Sequence, residues 1–154
     1  MYCIRYDSPV GKLLLTCTDC GLTGIFMNRE EIPAQQEHPI LEQTAAWLDA
    51  YFRGEVLPVP VPLAPEGTAF QQAVWKLLLE IPYGKHCTYG DLARSMAQIT
   101  GKERMSAQAV GQAVGKNPIG ILIPCHRCVG AGGQLTGYAG GLDKKIWLLR
   151  HEEQ

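Results

Sequence analysis

The sequence has no apolar run approaching the ~20 residues that cross a membrane, and its N-terminus lacks the pattern of a secretory signal peptide. We therefore expect a cytoplasmic protein without membrane attachment. Its 154 residues are enough to bury one sizeable hydrophobic core or two small ones. Six cysteines would suggest disulfide bonds in a short secreted chain, but without an export signal we expect reduced thiols.

The chain also lacks an excess of positive charge, since its formal net charge is −1. That balance alone argues against a nucleic-acid-binding protein. The charges are unevenly distributed, however: residues 1–84 carry five Lys and Arg against ten Asp and Glu, whereas residues 85–127 carry six against two. Contact with phosphate groups requires a basic block of this kind, although such blocks are also common on solvated surfaces.

The first third of the chain has the pattern of a small α/β unit. Apolar runs of strand type occupy residues 2–6, 13–17 and 22–27, with turn residues between them. From residue 40 to residue 52 the apolar side chains repeat with helical spacing, and Gly54 is placed to end that helix. We therefore predict an N-terminal scaffold domain, residues 1–57, in which a three-stranded antiparallel sheet packs against one helix.

A proline-rich segment separates this unit from the rest of the chain. Four prolines lie between residues 55 and 67, and they exclude both a helix and a central strand. We interpret residues 58–67 as a linker and residues 68–154 as a second domain.

Capping patterns predict three helices at the beginning of the second domain. Thr68 and Thr88 each open a capping box, and Ser106 can cap a helix that runs to about Lys116. The second and third of these helices are joined by a short turn, which is typical of a helix-turn-helix. The third is rich in alanine and glycine, although glycine within a helix costs about 1 kcal/mol relative to alanine. Close approach of this helix to another surface, either a packed neighbour or a nucleic-acid groove, would offset that cost.

A cysteine and a histidine stand side by side after an apolar run of strand type, residues 120–123. Pro124 turns the chain just before Cys125 and His126. Because a thiol has an unperturbed pKa of about 8.5, a neighbouring imidazole is the commonest way to supply thiolate at neutral pH. A Cys-His pair alone is more often a small buried side chain next to an ordinary loop residue, so the pair does not by itself define an active site.

The residues around this pair resemble the active-site motif of the alkylguanine-DNA alkyltransferases, which repair DNA by direct damage reversal. The string PCHRC differs from the family pattern Pro-Cys-His-Arg-Val at Cys128. Four further segments match the family in the same order along the chain, three before this string and one after it. They are GTAFQQAVWKLLLEIPYG (67–84), TYGDLA (88–93), AVGQAVGKNP (109–118) and GYAGGLDKKIWLLRHE (137–152). The N-terminal third matches only loosely, through DSPVGKL. The resemblance implies a ribonuclease H-like N-terminal layer followed by a mainly α, winged-helix-like domain with a helix-turn-helix.

The resemblance also implies a reaction. An alkyl group passes from O6 of guanine, or less readily from O4 of thymine, in double-stranded DNA to Cys125, once per molecule. His126 takes the thiol proton through a water molecule, Glu152 orients the imidazole, and Tyr89 gives a proton to the leaving base. Asn117 is the hinge between the recognition helix and the cysteine segment. This chemistry requires no cofactor and no metal, and we expect a monomer.

The same resemblance assigns a substrate pocket and a DNA interface. The pocket residues are Pro124, Tyr138, Ala139 and Gly140. The DNA-contacting residues are Tyr89, Ser106, Ala107, Gln108, Ala109, Gly111 and Arg127. Family members fill the gap left by the turned-out nucleotide with an arginine from the recognition helix, and here that position is Gln108. We therefore expect weaker or more salt-tolerant DNA binding, with the chemistry intact.

Two Cys-x-x-Cys pairs, at residues 17–20 and 125–128, leave other functions open. Two such pairs are the usual ligands of a structural zinc ion, and one pair after a strand could be a thioredoxin-type redox centre. The separation of about a hundred residues argues against zinc, and the glycines after Cys128 argue against redox chemistry. Cys125 and Cys128 could also form a disulfide that switches repair off. Non-catalytic alkyltransferase-like lesion binders typically carry tryptophan in place of the cysteine, so Cys125 argues against that class.

Overall fold

The computed structural model describes residues 1–29, 33–135, 137–138 and 140–154. Within these ranges the N-terminal elements are β1 (Tyr2–Ser8), β2 (Gly11–Thr18), β3 (Gly21–Met27) and α1 (Pro39–Phe52). The elements that follow are α2 (Ala69–Leu79), β4 (Cys87–Thr88), α3 (Tyr89–Thr100), α4 (Ala107–Gly115), β5 (Cys128–Val129) and α5 (Leu142–Glu152). Short 3₁₀ helices cover Cys125–Arg127 and Ala131–Gly133. None of the described helices is long and apolar enough to cross a membrane.

The three N-terminal strands form an antiparallel sheet in the order β1-β2-β3, as predicted. Strand β2 lies in the centre, and its residues 13–17 are all buried. Helix α1 covers the sheet, and the side chain of His38 caps its first turn by accepting a hydrogen bond from the backbone N–H of Ile40. The helix ends at Phe52, and Gly54 follows with a φ of 87°, a left-handed conformation that glycine adopts without strain.

The proline-rich segment lies along the start of β3. The backbone N–H of Leu22 donates to the carbonyl of Pro62 at 2.8 Å, and the N–H of Ala64 donates to the carbonyl of Leu22, also at 2.8 Å. Val61 is buried there. The two parts of the chain share one contiguous hydrophobic core, which takes in side chains from β2, α1, α2, α3, α4 and α5. The segment therefore holds the two parts together rather than spacing them apart.

The capped helices of the second part form as predicted. Thr68 and Thr88 each close a complete capping box, and the Ser106 hydroxyl accepts from the N–H of Ala109 at 3.2 Å. Helix α3 ends at Thr100, is capped by Gly101 with a φ of 72°, and packs against α4. The indole N–H of Trp75 in α2 donates to the carbonyl of Ala113 in α4 at 2.8 Å. The fold is thus a three-stranded sheet with one helix followed by a mainly helical part with a helix-turn-helix.

The apolar run before Cys125 is not a strand, and that prediction was wrong. Residues 120–123 form a turn, in which Ile121 has a φ of 68°, unusual for a β-branched residue. The turn is fixed from outside the run, because the N–H of Gly120 donates to the carbonyl of Ile25 in β3 at 3.1 Å. A short buried apolar run has no periodicity that distinguishes a strand from a buried turn.

Candidate active site

Asn117 fixes the turn that presents Cys125. Its side-chain amide nitrogen donates to the carbonyl of Ile123 at 2.9 Å, and its amide oxygen accepts from the N–H of Ile119 at 3.0 Å. A short asparagine side chain bonded to the backbone on both sides of a turn closes that turn as a backbone hydrogen bond would. Cys125 then begins a 3₁₀ turn, so that Cys125 and His126 leave the backbone in different directions.

Cys125 lies at the wall of a cavity of about 250 Å³ between the N-terminal sheet and the C-terminal part. The cavity is lined by Ile25, Phe26, Met27, Arg29, Asn117, Gly120, Cys125, Tyr138 and Gly140. Four of these residues belong to the end of β3 or directly follow it, so the N-terminal layer forms one wall of the site. The sequence predicted only a scaffold for this layer, and its contribution to the cavity was not predicted.

The predicted pocket residues divide into three groups. Tyr138 and Gly140 line the cavity. Gly140 is packed against the sulfur of Met27 so closely that a Cβ atom there would overlap it, and its carbonyl accepts from the side chain of Asn28 at 2.8 Å. Pro124, in contrast, lines a separate cavity next to Arg127 and α1. Ala139 lies outside the described residues.

The thiol of Cys125 is buried, and burial raises its pKa. Three neighbours act in the opposite direction and favour the thiolate: hydrogen bonds from the side chains of Asn117 and Tyr138, and the positive charge of Lys145. Burial also raises the pKa of Tyr138, and its hydrogen bond to Cys125 adds to that effect, so its phenol remains a proton donor to the sulfur. Cys125 is therefore a protonated thiol with neighbours that stabilise its anion.

Lys145, which was not predicted as a site residue, is fully buried in α5. Its ammonium group donates to the carbonyl of Cys128 at 2.7 Å and lies 6.0 Å from the ring centroid of Tyr89. Burial lowers the pKa of Lys145. One face of α5 carries Lys145, Leu148 and Glu152 at helical spacing. The signal in the sequence for a buried Lys145 was therefore its position on the same helix face as an apolar leucine.

Glu152 is the centre of a buried hydrogen-bonded network. One of its carboxylate oxygens accepts from Nε2 of His126 at 2.6 Å and from the hydroxyl of Tyr51 at 2.6 Å. The other accepts from Nε of Arg127 at 2.7 Å and from the backbone N–H of Gly84 at 3.3 Å. Burial by itself would raise the pKa of Glu152, but the hydrogen bonds from His126 and Arg127 outweigh burial and lower it to about 2.

This network fixes the protonation state of His126. An ionised Glu152 can only accept hydrogen bonds, so Nε2 of His126 must carry the proton. Burial lowers the pKa of the imidazole although Glu152 acts to raise it, so the ring is neutral at neutral pH. The lone pair is then on Nδ1, which is buried and has no hydrogen-bond partner among the described residues. Nδ1 is the atom that can accept a proton.

Arg127, which the resemblance assigns to the DNA interface, is largely buried in this structure. Its side chain is 11% exposed and is held by Glu152 and by the carbonyl of Ile81, which accepts from Nη1 at 2.6 Å. The prediction counted Arg127 with the basic block, but the ion pair with Glu152 holds its charge inside the protein. Arg127 and His126 therefore hydrogen-bond the same buried carboxylate.

The remaining predicted DNA contacts lie on or near the outer face of α4. Ser106, Ala107 and Gln108 are exposed, and Ala109 and Gly111 are half-buried. A Cβ atom at Gly111 would lie 3.6 Å from the ring of Tyr89, which is an ordinary contact, and at Gly115 it would meet nothing within 4 Å. Packing inside the described structure therefore does not require glycine at either position.

Tyr89 is half-buried at the first position of α3, between Gly111 and Lys145. It directly follows Thr88 of β4, which pairs with Val129 of β5, close behind the cysteine segment. The pairing of β4 with β5 thus connects the start of the helix-turn-helix to the thiol-bearing turn.

The two Cys-x-x-Cys pairs lie in different parts of the fold. Cys17 is buried in β2 and Cys20 is exposed in the following turn, whereas Cys125 begins the 3₁₀ turn of the second part and Cys128 follows it. In the ranges that the structure describes, no three His, Cys, Asp or Glu side chains are grouped so that they could hold a metal ion. The zinc interpretation therefore has no ligand cluster to support it.

A buried thiol at a small cavity, a neutral imidazole held by a carboxylate and an adjoining helix-turn-helix define a class of protein: a cysteine acceptor built next to a nucleic-acid-binding element. Comparison with known proteins agrees. The family described as "6-O-methylguanine DNA methyltransferase, DNA binding domain" matches residues 69–154, and its "ribonuclease-like domain" matches residues 1–65. The chain belongs to the O6-methylguanine DNA methyltransferase family.

Individual relatives cover nearly the whole chain. A methylated-DNA–protein-cysteine methyltransferase of Methanosarcina acetivorans is 44% identical and spans 99% of this chain and 98% of its own length. The protein of that name from Haemophilus influenzae is 42% identical, over 99% of this chain and 87% of its own length. A crystal structure of the Mycobacterium tuberculosis protein in complex with DNA matches with a TM-score of 0.86 and 41% identity, over 99% of this chain and 93% of that one.

Proposed function

We propose that this protein repairs double-stranded DNA by moving an alkyl group from O6 of guanine, or less readily from O4 of thymine, to the sulfur of Cys125. Membership of the methyltransferase family supports the reaction class. The observation that carries the assignment to Cys125 is its thiol at the wall of the cavity, hydrogen-bonded by Asn117 and Tyr138. Because a thioether does not revert, each molecule acts once. We also expect the protein to be a monomer.

The reaction is an in-line displacement at the alkyl carbon. A bond forms between the sulfur of Cys125 and that carbon, and the bond between the carbon and the base oxygen breaks with its electron pair. The thiol proton passes through a bridging water molecule to Nδ1 of His126. The base takes up a proton as it leaves, and the phenol of Tyr89 supplies it. No metal or redox cofactor takes part in these steps.

The buried network suits this proton transfer. When Nδ1 accepts the proton, His126 becomes a cation inside the protein, where an unpaired charge would be costly. Glu152 lies 2.6 Å from Nε2 and is already ionised, so it stabilises the imidazolium without changing its own protonation state. Arg127 and Tyr51 hold that carboxylate in place through three further hydrogen bonds.

The DNA-binding surface is the outer face of α4. A helix with small residues can approach the floor of the minor groove, and Gly115 is exposed where no internal contact requires glycine. The target nucleotide is then turned out of the duplex into the cavity, at a cost of a few kcal/mol. Gln108, which is exposed near the start of α4, fills the vacated position. Its uncharged amide can hydrogen-bond the remaining base but adds no phosphate attraction.

The test is mass spectrometry of the intact protein after incubation with a duplex that carries one O6-methylguanine. We expect the mass to rise by one methyl group, on the peptide that contains Cys125, with no more than one per molecule. The Cys125→Ser variant should gain nothing, whereas Cys20→Ser, which changes an exposed cysteine in the turn between β2 and β3, should behave as wild type. Retention of lesion binding by folded wild-type protein without any gain in mass would instead support the non-catalytic lesion binder.

A further inference from the structure

Two cysteines that the proposed reaction does not use face each other across the short parallel ladder. Strands β4 and β5 pair in parallel, with Cys87 directly opposite Cys128. Directly paired residues of neighbouring strands place their side chains on the same face of the sheet. The two thiols are hydrogen-bonded to each other. Both are free in this structure.

The spacing suits a covalent link. Neighbouring strands lie ~4.7–4.9 Å apart, and disulfides form between residues whose Cα atoms are roughly 4.4–6.8 Å apart. The sulfur of Cys125 has other partners, because Asn117 and Tyr138 hydrogen-bond it at the cavity. The nearest matched partner of Cys128 is therefore Cys87 on the adjacent strand, rather than Cys125 three residues earlier in the chain.

The two thiols also differ in a way that suits stepwise oxidation. Cys87 is half-buried, whereas Cys128 is fully buried. The hydrogen bond from Cys128 lowers the pKa of Cys87, and the same bond together with burial raises the pKa of Cys128. Cys87 is thus the more accessible and the more readily ionised of the pair, which are the properties of an attacking thiol. Cys128 is positioned as the resolving thiol.

We propose that Cys87 and Cys128 are a modification site at which a peroxide forms a reversible disulfide while Cys125 keeps its thiol. The thiolate of Cys87 attacks the peroxide, the O–O bond breaks, and Cys87 becomes a sulfenic acid. The thiol of Cys128 then attacks that sulfur, an S–S bond forms, and water leaves. The dithiol loses two electrons and two protons, and hydrogen peroxide is reduced to two molecules of water.

The disulfide would join the start of α3 to the 3₁₀ turn that carries Cys125, the proposed alkyl acceptor. Cys87 precedes Thr88 and Tyr89 at the start of α3, and Cys128 follows the 3₁₀ turn that begins with Cys125. Each of the paired strands has only two residues, so few backbone hydrogen bonds hold them together. The covalent link therefore adds to a weak connection and does not consume the acceptor.

The experiment is disulfide mapping of the full-length protein after a titration with hydrogen peroxide. Samples are quenched with acid, free thiols are alkylated in denaturant, and peptides are separated without reductant. We expect a linked pair of peptides containing Cys87 and Cys128, an intact mass lower by two hydrogen atoms, and full reversal by dithiothreitol. Cys125 should be recovered as an alkylated free thiol.

Two variants and one control make the result decisive. Cys128→Val places the family's residue in the core, so the fold should tolerate it; the linked peptides should disappear, and Cys87 should be trapped by a sulfenic-acid reagent. In Cys87→Ser, Cys128 should stay reduced, and Cys20→Ser should leave the linked peptides unchanged. A Cys125–Cys128 link in wild type would overturn the proposal, as would oxidation confined to Cys20. The disulfide mapping does not depend on alkyl transfer. Failure of this proposal can therefore be distinguished from failure of the proposed function.

Discussion

Glu152 gives the strongest test of the buried network, because one carboxylate holds His126, Arg127 and Tyr51 together. The perturbation is Glu152→Gln, which keeps the shape but removes the negative charge. Without that charge the guanidinium of Arg127 is left buried and unpaired, a change that typically costs ~3–5 kcal/mol. Because a domain of this size is stable by roughly 5–15 kcal/mol, we expect a folded but clearly weakened variant.

The pH dependence of stability follows from the lowered pKa. Glu152 has a pKa of about 2 in the folded protein and about 4.3 when unfolded. Between these values the unfolded chain binds more protons, so the stabilising contribution is complete above pH ~5 and is lost as the pH falls towards 2. At 1.36 kcal/mol per pKa unit the contribution is roughly 3 kcal/mol.

The assay is urea unfolding of wild type and Glu152→Gln at a series of pH values between 7 and 2.5. The difference in unfolding free energy should be largest at neutral pH and should shrink by most of ~3 kcal/mol at the acidic end. Glu153→Gln, an exposed neighbour in the C-terminal cap of α5, is the matched control and should differ little from wild type. Parallel pH profiles for wild type and Glu152→Gln would refute the argument.

Three further changes test the thiol and the DNA surface. Lys145→Met removes a buried charge that lowers the pKa of Cys125, so the transfer rate at pH 7 should fall about tenfold for each unit by which that pKa rises, and the rate profile should shift to higher pH. Gln108→Arg should tighten DNA binding and steepen the logarithmic salt dependence by about 0.9 for one new phosphate contact, measured by titration over a salt series. Gly115→Ala should stabilise α4 by up to about 1 kcal/mol in urea unfolding yet weaken DNA binding, because its methyl group would lie where the helix meets the groove.

The first two changes have matched control variants, and the third has an outcome that would contradict it. Lys76→Met removes an exposed lysine in the last turn of α2, and the pH–rate profile should stay where it is. Gln43→Arg adds the same charge to the exposed face of α1. If it steepened the salt dependence of DNA binding as much as Gln108→Arg does, Gln108 would not be an intercalating position. For Gly115→Ala, unchanged affinity in a more stable protein would exclude a close groove contact at α4.

Local signals predicted most of the fold. The capping boxes at Thr68 and Thr88 are read from residues three apart, and the structure has both. Glycine at position 54 ends α1 for an equally local reason. The run at 120–123 was misread because its conformation depends on β3, about a hundred residues earlier in the chain, whose backbone holds Gly120 in a turn.

The site was predicted less completely than the fold, for an electrostatic reason. Cys125, His126 and Glu152 came from the resemblance to a family, since no spacing rule connects a pair at 125–126 with a carboxylate 26 residues later. Arg127 was assigned to the DNA interface and Lys145 was not singled out, because charged side chains are almost never fully buried without a partner. Their partners, Glu152 and the carbonyl of Cys128, are known only from the folded structure.

The same network explains why the N-terminal layer is part of the site. Tyr51 of α1 supplies one of the hydrogen bonds that keep Glu152 ionised, and Met27 and Arg29, at and just beyond the end of β3, close one side of the cavity. A C-terminal part alone would retain Cys125 and the helix-turn-helix but would lack a donor to the carboxylate and a wall of the pocket. Because the two parts also share one hydrophobic core, the thiol of Cys125, the imidazole of His126 and the cavity are built by both parts of the chain together.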